Sequence, residues 1–330
     1  MGQAELESLF QKFKTLKVLI VGDVMVDNYI MGKVERVSPE APVPVVDVSA
    51  LDSRLGGAGN VALNILSMGA SPVLCSVVGS DKQGKELTAL LKVLGLTDRA
   101  MHASEKRKTT TKTRVIGNNH QIVRIDHEIT DDLDTLDSYL LEQHYDRELE
   151  FANVVILEDY NKGVLHSQNI ERFIQKAKSM NIPVVVDPKK SNFLAYKGAS
   201  LFKPNLKELK EGLNLNTDLK DIDNLRSAVE ILTAEMNVDA CMVTMSEKGV
   251  YIHSNTEEHN VPAHIRNITD VSGAGDTVIS IAALCTALNV PLKDLAELSN
   301  LAGGLVCEET GVVPIDPLLL KAEALKEMAN

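Results

Sequence analysis

The sequence predicts an α/β protein: a three-layer fold with a mostly parallel sheet, helices on both faces, and a small antiparallel β lid. Three observations predict it. Short apolar runs rich in Val and Ile alternate with amphipathic stretches of helical length, as repeated βαβ units do. The runs are continuous, as strands buried on both faces require. Two segments, 24–50 and 107–126, break the rhythm with extended patterns of their own.

The elements follow in order. A short amphipathic helix leads into "KVLIVGD" (17–23), a buried strand. Residues 24–50 carry Pro39, Pro42 and Pro44 among Val-rich extended segments, so they read as β structure outside the main sheet. "VALNILSMG" is helical, "PVLCSVVG" a strand, and "GKELTALLKVLG" helical again. Residues 107–126 alternate with period two about Gly117, Asn118 and Asn119, as a hairpin would. "FANVVILED" and "IPVVVDP" are strands separated by the helical "SQNIERFIQKAKSM". After "ASLFKPN" come a helix over 221–236, the strand "ACMVTM", a strand-like "RNITDV" and the helical "TVISIAALCTAL". The expected organisation is one domain over 1–330, its lid built from 24–50 and 107–126, with no second domain fused after it.

Composition narrows the function. Of 330 residues, 44% are hydrophobic and 24% charged, which is ample for a globular core. A net charge of −12 excludes a general polyanion binder, and aromatics at 4% with no Trp leave few platforms for nucleic-acid bases. No apolar run reaches the roughly 18 residues of a membrane span. The N-terminus places acidic residues ahead of any apolar stretch, unlike a secretory signal, and Leu6 stands where a myristoylation signal wants Ser or Thr. Cys75, Cys241, Cys285 and Cys307 are scattered and read as buried small hydrophobes. The expected location is the cytoplasm.

Two glycine clusters carry the chemistry. "RLGGAGNVALNI" holds Gly57, Gly59 and Ala62 in G-x-G-x-x-A register, the spacing of a dinucleotide fingerprint. That motif needs a strand before it, and "DVSALDSR" reads as a polar turn, which disfavours a dehydrogenase. "DVSGAGD" (270–276) lacks the G-K-[ST] of a Walker loop, and Val278 occupies the place of a third small residue. A strand, a glycine turn and a helix start form a setting in which backbone N–H groups and the helix dipole meet an anion. Asp276 is then either an N-cap or a group that does chemistry there.

"DVSGAGD" strongly resembles the C-terminal signature of ribokinase-like (phosphofructokinase-B type) carbohydrate kinases, and "GGAGNVA" (56–62) resembles their N-terminal one. "KPNLKEL" and "VTMSEKG" between them strengthen the likeness, which runs across nearly the whole chain. Within the family, "GDVMVDNYIMGKVERVSPEAPVPVV", "EDYNKG", "DPKK" and "TRVIGNNHQIVRID" are similar to the branch that phosphorylates D-glycero-β-D-manno-heptose 7-phosphate. The resemblance implies a ribokinase-like fold and an ATP-dependent kinase. Its acceptor would be the anomeric hydroxyl of that sugar phosphate, in ADP-heptose and lipopolysaccharide core synthesis. Another acceptor of the same family (fructose, ribose or a nucleoside) is the alternative reading, and a non-catalytic sensor on this fold is a more distant one.

The resemblance also assigns residues. Asp276 is the expected base, with the N–H groups of Gly273, Ala274, Gly275 and Asp276 facing the transferring phosphoryl group. Asn205 and Glu208, in N-x-x-E, would order Mg²⁺ with ATP, partly through water, although the same spacing suits a capping box. Thr244, Ser246 and Gly249 match the nucleotide-phosphate turn, Ser246 standing where Gly is common. Asn300 matches a position in the adenine pocket, beside Gly303 and Gly304, for which helix packing is an equal explanation. Asp27, Gly57 and Asn60 match positions that bind acceptor hydroxyls, whereas Asp23 is expected to cap or pair locally. For the sugar phosphate the candidates are Lys112, Arg114, Arg124 and Lys189. Lys106, Arg107 and Lys108 read rather as protection of an edge strand. The family further implies a monovalent cation near Asp270 and a homodimer formed through the lid.

Overall fold

The computed structural model describes residues 1–264 and 266–328. In chain order, α1 (Gln3–Phe13) leads into β1 (Lys17–Gly22), then the long strands β2 (Val24–Val37) and β3 (Pro44–Gly57). Next come α2 (Ala58–Ser67), β4 (Ser71–Gly79), α3 (Lys82–Val93) and β5 (Ala100–Ser104). The hairpin β6 (Thr110–Gly117) and β7 (His120–His127) precedes α4 (Thr135–Leu149), β8 (Val154–Glu158) and α5 (Ser167–Ser179). β9 (Val184–Asp187), β10 (Leu201–Phe202), α6 (Leu206–Gly212), α7 (Ile222–Met236) and β11 (Ala240–Thr244) continue the alternation. The edge pair β12 (Val250–Ser254) and β13 (Glu258–Val261) is followed by α8 (Ala274–Ala287), α9 (Leu292–Val306) and α10 (Pro317–Glu327).

Nine strands form one sheet in the order β13-β12-β11-β10-β9-β8-β1-β4-β5. It is parallel from β5 to β11, with β12 and β13 antiparallel at one edge. The alternation of side chains along each strand splits the core into two layers. Val18 and Ile20 of β1 join a cluster with α1, α2, α8 and α9, while Leu19 and Val21 join the other with α4, α5 and α7. Both faces are therefore apolar, which is why the strands read as unbroken apolar runs. All four cysteines are free and buried, and no helix among the described residues is long and apolar enough to cross a membrane.

The lid is a second sheet of four strands, ordered β3-β2-β6-β7. It departs from a purely antiparallel sheet because β2 and β6 run parallel between two antiparallel hairpins. Three other expectations change. "DVSALDSR" is part of β3 rather than a turn. Residues 266–271 are irregular rather than a strand, and the N–H groups of Thr269 and Asp270 bond the Cys307 carbonyl instead of a ladder. Lys106, Arg107 and Lys108 lie on the link from β5, an edge strand of the main sheet, to β6, an interior strand of the lid, so they sit beside an edge and not on an edge strand. Lys106 pairs with Asp134 at 2.6 Å, and Arg107 bonds the carbonyls of Asp131 and Lys162.

The first lid hairpin, β2–β3, leaves and rejoins the body at one point, while the second, β6–β7, is linked separately to β5 and α4. Only Asp23 separates β1 from β2, and its carbonyl accepts the Ala58 N–H at 3.0 Å, where β3 turns into α2. That turn uses Gly57 at φ +59°, where an added Cβ would stand 2.4 Å from the Asp23 carbonyl oxygen.

Candidate active site

The parallel strands place their last residues in one row. Glu158 ends β8 opposite Gly22 and Asp187 ends β9 opposite Glu158, while Lys203 follows β10 with its N–H on the Val186 carbonyl. The N-terminus of α8 meets this row: a Cβ on Gly275 would lie 3.8 Å from Lys203 Nζ and 3.9 Å from Asp187 Oδ2. The carboxyl ends of parallel strands are the usual ligand crevice of α/β sheets.

Gly273 opens α8 at φ +82°, and an added Cβ would press to 2.9 Å of Asn60 Nδ2. The first-turn N–H groups of a helix lack intrahelical partners and are free for an anion. Asp276 is three residues past that cap, so it is not the N-cap. Its carboxylate accepts hydrogen bonds from Asn60 Nδ2 at 2.7 Å and from the Tyr160 hydroxyl at 2.8 Å. Burial pushes its pKa up from 3.8 to about 6, against the two hydrogen bonds, which lower it. Such a carboxylate is poised to accept a proton near neutral pH.

Both partners of Asp276 are themselves fixed. Asn60 is buried on α2, which is tied to α8 by the Thr277 hydroxyl donating to Asn64 at 3.1 Å. Tyr160 lies in the loop after β8, and Asp23 holds that loop by accepting the N–H groups of Tyr160, Lys162 and Val164 at 2.8, 3.1 and 3.2 Å. Contrary to the expectation from sequence, Asp23 therefore does not cap or pair locally: its partners lie 137 to 141 residues further along the chain, and it organises the site from beneath. Burial first, and then the charge of Asp159, push its pKa up to about 6.

Asp276, Glu158 and Asp187 each offer an oxygen within 4.8 Å of the others, and all three are buried. Lys203, also buried, bonds Asp187 Oδ2 at 2.9 Å. Among the described residues, neither oxygen of Glu158 has a hydrogen-bond partner, nor does Asp187 Oδ1, which Lys189 Nζ approaches at 3.7 Å. Burial, followed by the charges of Asp187 and Asp276, drives the Glu158 pKa well above the usual carboxylate range.

The nucleotide candidates form a strip beside this row. Asn205 caps α6 with its oxygen on the Glu208 N–H at 2.8 Å, and Glu208 Oε2 returns to the Asn205 N–H at 2.9 Å. This is a complete capping box, and Glu208 Oε1 also takes Lys189 Nζ at 2.6 Å. Carboxylate oxygens have further lone pairs, so the cap does not exhaust Glu208 as an oxygen donor for a cation. Thr244, at the end of β11, bridges to Asn205, which sets the two motifs side by side. Ser246 lies at φ +53°, a left-handed conformation that explains why glycine suits this position. Gly249 follows it and packs on Val261 and Ala263, and Asn300 Nδ2 donates to the neighbouring Pro262 carbonyl at 2.9 Å. A Cβ on Gly303 would meet Val278 at 2.6 Å, so close packing of α9 on α8 accounts for this glycine. Asp270 is held by the N–H groups of Ser272 at 2.9 Å and Gly311 at 3.0 Å.

The lid turns a charged face toward Asp276. Strand register sets Arg54, Asp27, Lys112 and Asp126 in one row, and Asp52, Tyr29, Arg114 and Arg124 in the next row on that face. Most of these cations are neutralised: Arg114 pairs with Asp27, Arg124 with Asp126 at 2.9 Å, and Arg54 with Asp52 at 2.8 Å. Asp27 and Arg114, both read as substrate residues, are thus each other's partners. Lys112 is different. Among the described residues it has no carboxylate partner, and its ammonium stands 5.5 Å from the centre of the Tyr160 ring. Burial lowers its pKa. Lys189, from outside the lid, stands 5.3 Å from the centre of the same ring, but unlike Lys112 it is paired, with Glu208 at 2.6 Å.

Sequence reasoning missed Tyr160, Glu158, Asp187 and Lys203 as members of the site. "EDYNKG" and "DPKK" contained three of them, but only as marks of resemblance.

A sequence profile of the pfkB family carbohydrate kinases matches residues 15–317. The bifunctional protein HldE of Geotalea uraniireducens is 37% identical over 325 residues, covering 98% of this chain and 66% of the relative. HldE of Coxiella burnetii is 39% identical over 310 residues, covering 93% and 63%. The chain thus spans just under two thirds of the length of these relatives. In fold it is similar to Escherichia coli phosphofructokinase-2 in complex with fructose-6-phosphate, with a TM-score of 0.76, 19% identity and 94% and 99% of the two chains covered. It is also similar to Arabidopsis thaliana ribokinase complexed with ribose and ATP, with a TM-score of 0.71, 15% identity and coverage of 93% and 99%.

Proposed function

The chain belongs to the pfkB family of carbohydrate kinases, and from that premise we propose that it phosphorylates the anomeric hydroxyl of D-glycero-β-D-manno-heptose 7-phosphate from ATP. One observation carries the choice of a phosphorylated acceptor. Lys112 is a half-buried cation on the lid with no carboxylate partner among the described residues, above the ring whose hydroxyl holds Asp276. An unpaired cation withdrawn from water calls for an anion. The motifs similar to heptose 7-phosphate kinases narrow the acceptor further.

In this reading the lid holds the sugar with its phosphate on Lys112 and the acceptor hydroxyl toward Asp276. Asp276 takes the hydroxyl proton as the oxygen bonds to the γ-phosphorus and the bond to the β–γ bridging oxygen breaks, releasing ADP, and Asn60 and Tyr160 keep its carboxylate oriented. The N–H groups of Gly273, Ala274, Gly275 and Asp276, with Lys203 behind them, face the charge that spreads over the transferring group. Asn205 and Glu208 would hold the nucleotide's Mg²⁺, partly through water, and the ion would supply neutralisation of the phosphates. A monovalent cation near Asp270 is part of the same reading.

A panel of acceptors with ATP and Mg²⁺ tests the assignment. Heptose 7-phosphate should be turned over far faster than ribose, fructose 1-phosphate or adenosine. Faster transfer to any of the other three replaces the heptose assignment.

The pH dependence follows from the raised pKa of Asp276. The base works ionised, so kcat/KM should fall about tenfold per unit as pH drops below about 6. Tyr160→Phe removes a hydrogen bond that lowers this pKa, so the acid limb should move to higher pH. An acid limb that stays in place in the variant would separate Tyr160 from the base.

The outer face of the lid is apolar where Leu51, Ile30, Val115 and Val123 share a row, and Leu51 is 75% exposed. A second copy of the chain covering this row makes the expected homodimer. Sedimentation equilibrium should find a dimer at micromolar concentration, and Leu51→Lys should shift it to monomer. A monomeric wild type rejects the arrangement.

A further inference from the structure

We propose that Lys162 is a positioning residue, through which the roots of both lid hairpins hold the loop whose Tyr160 orients Asp276. The inference rests on the reading above, in which Asp276 is the base, and adds how the lid reaches it.

Three groups of Lys162 are engaged, each by a different part of the lid's attachment. Its N–H donates to Asp23 Oδ2 at 3.1 Å, and Asp23 is the last residue before β2. Its carbonyl accepts from the guanidinium of Arg107, three residues ahead of β6. Its ammonium donates to Glu128 Oε1 at 2.7 Å, and Glu128 is the first residue after β7. One residue thus meets the start of β2 and both ends of the β6–β7 hairpin. These partners come from 139, 55 and 34 residues away, so the meeting is made by the fold and not by local sequence.

The path from Lys162 to the base is short. Asp23 Oδ2 also accepts the Tyr160 N–H at 2.8 Å, so one oxygen clamps the backbone on both sides of Asn161. Tyr160 in turn donates its hydroxyl to Asp276 at 2.8 Å. On the other side of Lys162, Gly163 turns the chain at φ +83°, where an added Cβ would overlap the Asp131 carbonyl oxygen. The Gly163 carbonyl takes the Leu133 N–H at 3.1 Å, and Arg107 also donates to the Asp131 carbonyl at 2.6 Å. The loop therefore has little freedom to move independently of its partners. The Lys162–Glu128 pair is largely withdrawn from water, with side chains 16% and 22% exposed, which makes it firmer than a surface ion pair. Its ammonium is already committed to Glu128, which separates Lys162 from Lys112 as a receptor for the acceptor's phosphate.

Lys162→Met and Glu128→Leu should each lower kcat by about tenfold with KM little changed, since misplacing a reacting group by about 1 Å can cost about 100-fold. Both should move the acid limb of kcat/KM to higher pH, as loss of the Tyr160 hydrogen bond does. Lys162→Arg, which keeps a cation for Glu128, should restore most of the turnover. In a Tyr160→Phe background, Lys162→Met should cost no more than about twofold further, because the path it acts through is already cut. Lys162→Met combined with Glu128→Leu leaves no unpaired charge, so it should recover the melting temperature but not kcat. Phosphorylated and unphosphorylated heptose should lose turnover equally. Wild-type kcat with an unmoved acid limb, a loss fully additive with that of Tyr160→Phe, or a loss confined to the phosphorylated acceptor overturns the proposal. Hydrogen exchange of the peptide 158–165 reads the same tie without turnover. It should quicken in Glu128→Leu, and unchanged exchange there also overturns the proposal. A protein that phosphorylates no sugar but shows the quickened exchange keeps the tie and loses the proposed reaction, whereas a working kinase with unaffected variants loses only the role of Lys162.

Discussion

Asp276→Asn is expected to lower kcat by about 10²–10⁴-fold, the range for a positioned general base, while ATP affinity stays near that of wild type. The amide keeps the shape and one carbonyl oxygen, so Asn60 and Tyr160 retain a partner and α8 keeps its first turn. What is lost is the capacity to take a proton. The variant should also be more stable. The folded pKa of Asp276, about 6, lies above the ordinary 3.8, so between these values the folded state holds the proton more tightly than the unfolded chain does. Stability from this group is therefore greatest at low pH, falls as pH rises from about 4 to about 6, and remains lost above. Ionised Asp276 thus costs about 3 kcal/mol at neutral pH, at about 1.4 kcal/mol per unit, and the neutral amide avoids that cost. Loss of turnover with a raised melting temperature identifies a base held in an unfavourable state for its chemistry. Turnover within a few-fold of wild type would remove Asp276 from that role.

Lys112→Met should reduce kcat/KM for heptose 7-phosphate by about 10- to 150-fold, equivalent to about 1.5–3 kcal/mol for a hydrogen bond to a charged group. Met preserves the length and apolar stem that covers Tyr160. The unphosphorylated heptose should be used equally poorly by both proteins, because its interaction with Lys112 is absent from the start. Parallel kinetics with the two acceptors therefore distinguish phosphate recognition from damage to the lid. An equal fall for both would assign Lys112 to holding Tyr160. Arg114→Met is a useful contrast, since Arg114 is already neutralised by Asp27.

Much of the layered fold was legible because it rests on local pattern. Val18 to Val21 form an unbroken apolar run only because Val18 and Ile20 pack on one layer and Leu19 and Val21 on the other. The hairpin about Asn118 and Asn119 was legible because both residues take positive φ, 52° and 66°, which Asn tolerates. The stretch before α8 was misread for a related reason. "RNITDV" has the β-branched residues of a strand, but Thr269 and Asp270 spend their N–H groups on the Cys307 carbonyl, a distant partner that no local pattern reveals.

The site was legible where backbone geometry dictates residue type and obscure where long-range pairing does. Gly273 and Asp276 stood out because a left-handed helix cap and a lone first-turn carboxylate mark their own sequence. Tyr160 carries no such mark, being one Tyr in a polar loop until Asp23, 137 residues earlier, fixes its backbone and Asp276, 116 residues later, accepts its hydroxyl. The basic run 106–114 likewise looks uniform in sequence. Only the register of β2, β6 and β7 shows that Arg114 and Arg124 are neutralised and Lys112 is not.

The narrow attachment of the β2–β3 hairpin, one of the two that build the lid, has an evolutionary consequence. Strands β2 and β3 leave and re-enter the body at adjacent points, Asp23 and Ala58, joined by a single backbone hydrogen bond. An insertion whose two ends meet can change in length and surface without displacing the frame it springs from. Heritable variation in this cassette can therefore alter which acceptor is admitted while α8 and its carboxylate stay in register with Asn60, which begins beyond the junction. Diversification of specificity and preservation of the transfer step are, in this architecture, assigned to separate stretches of the gene.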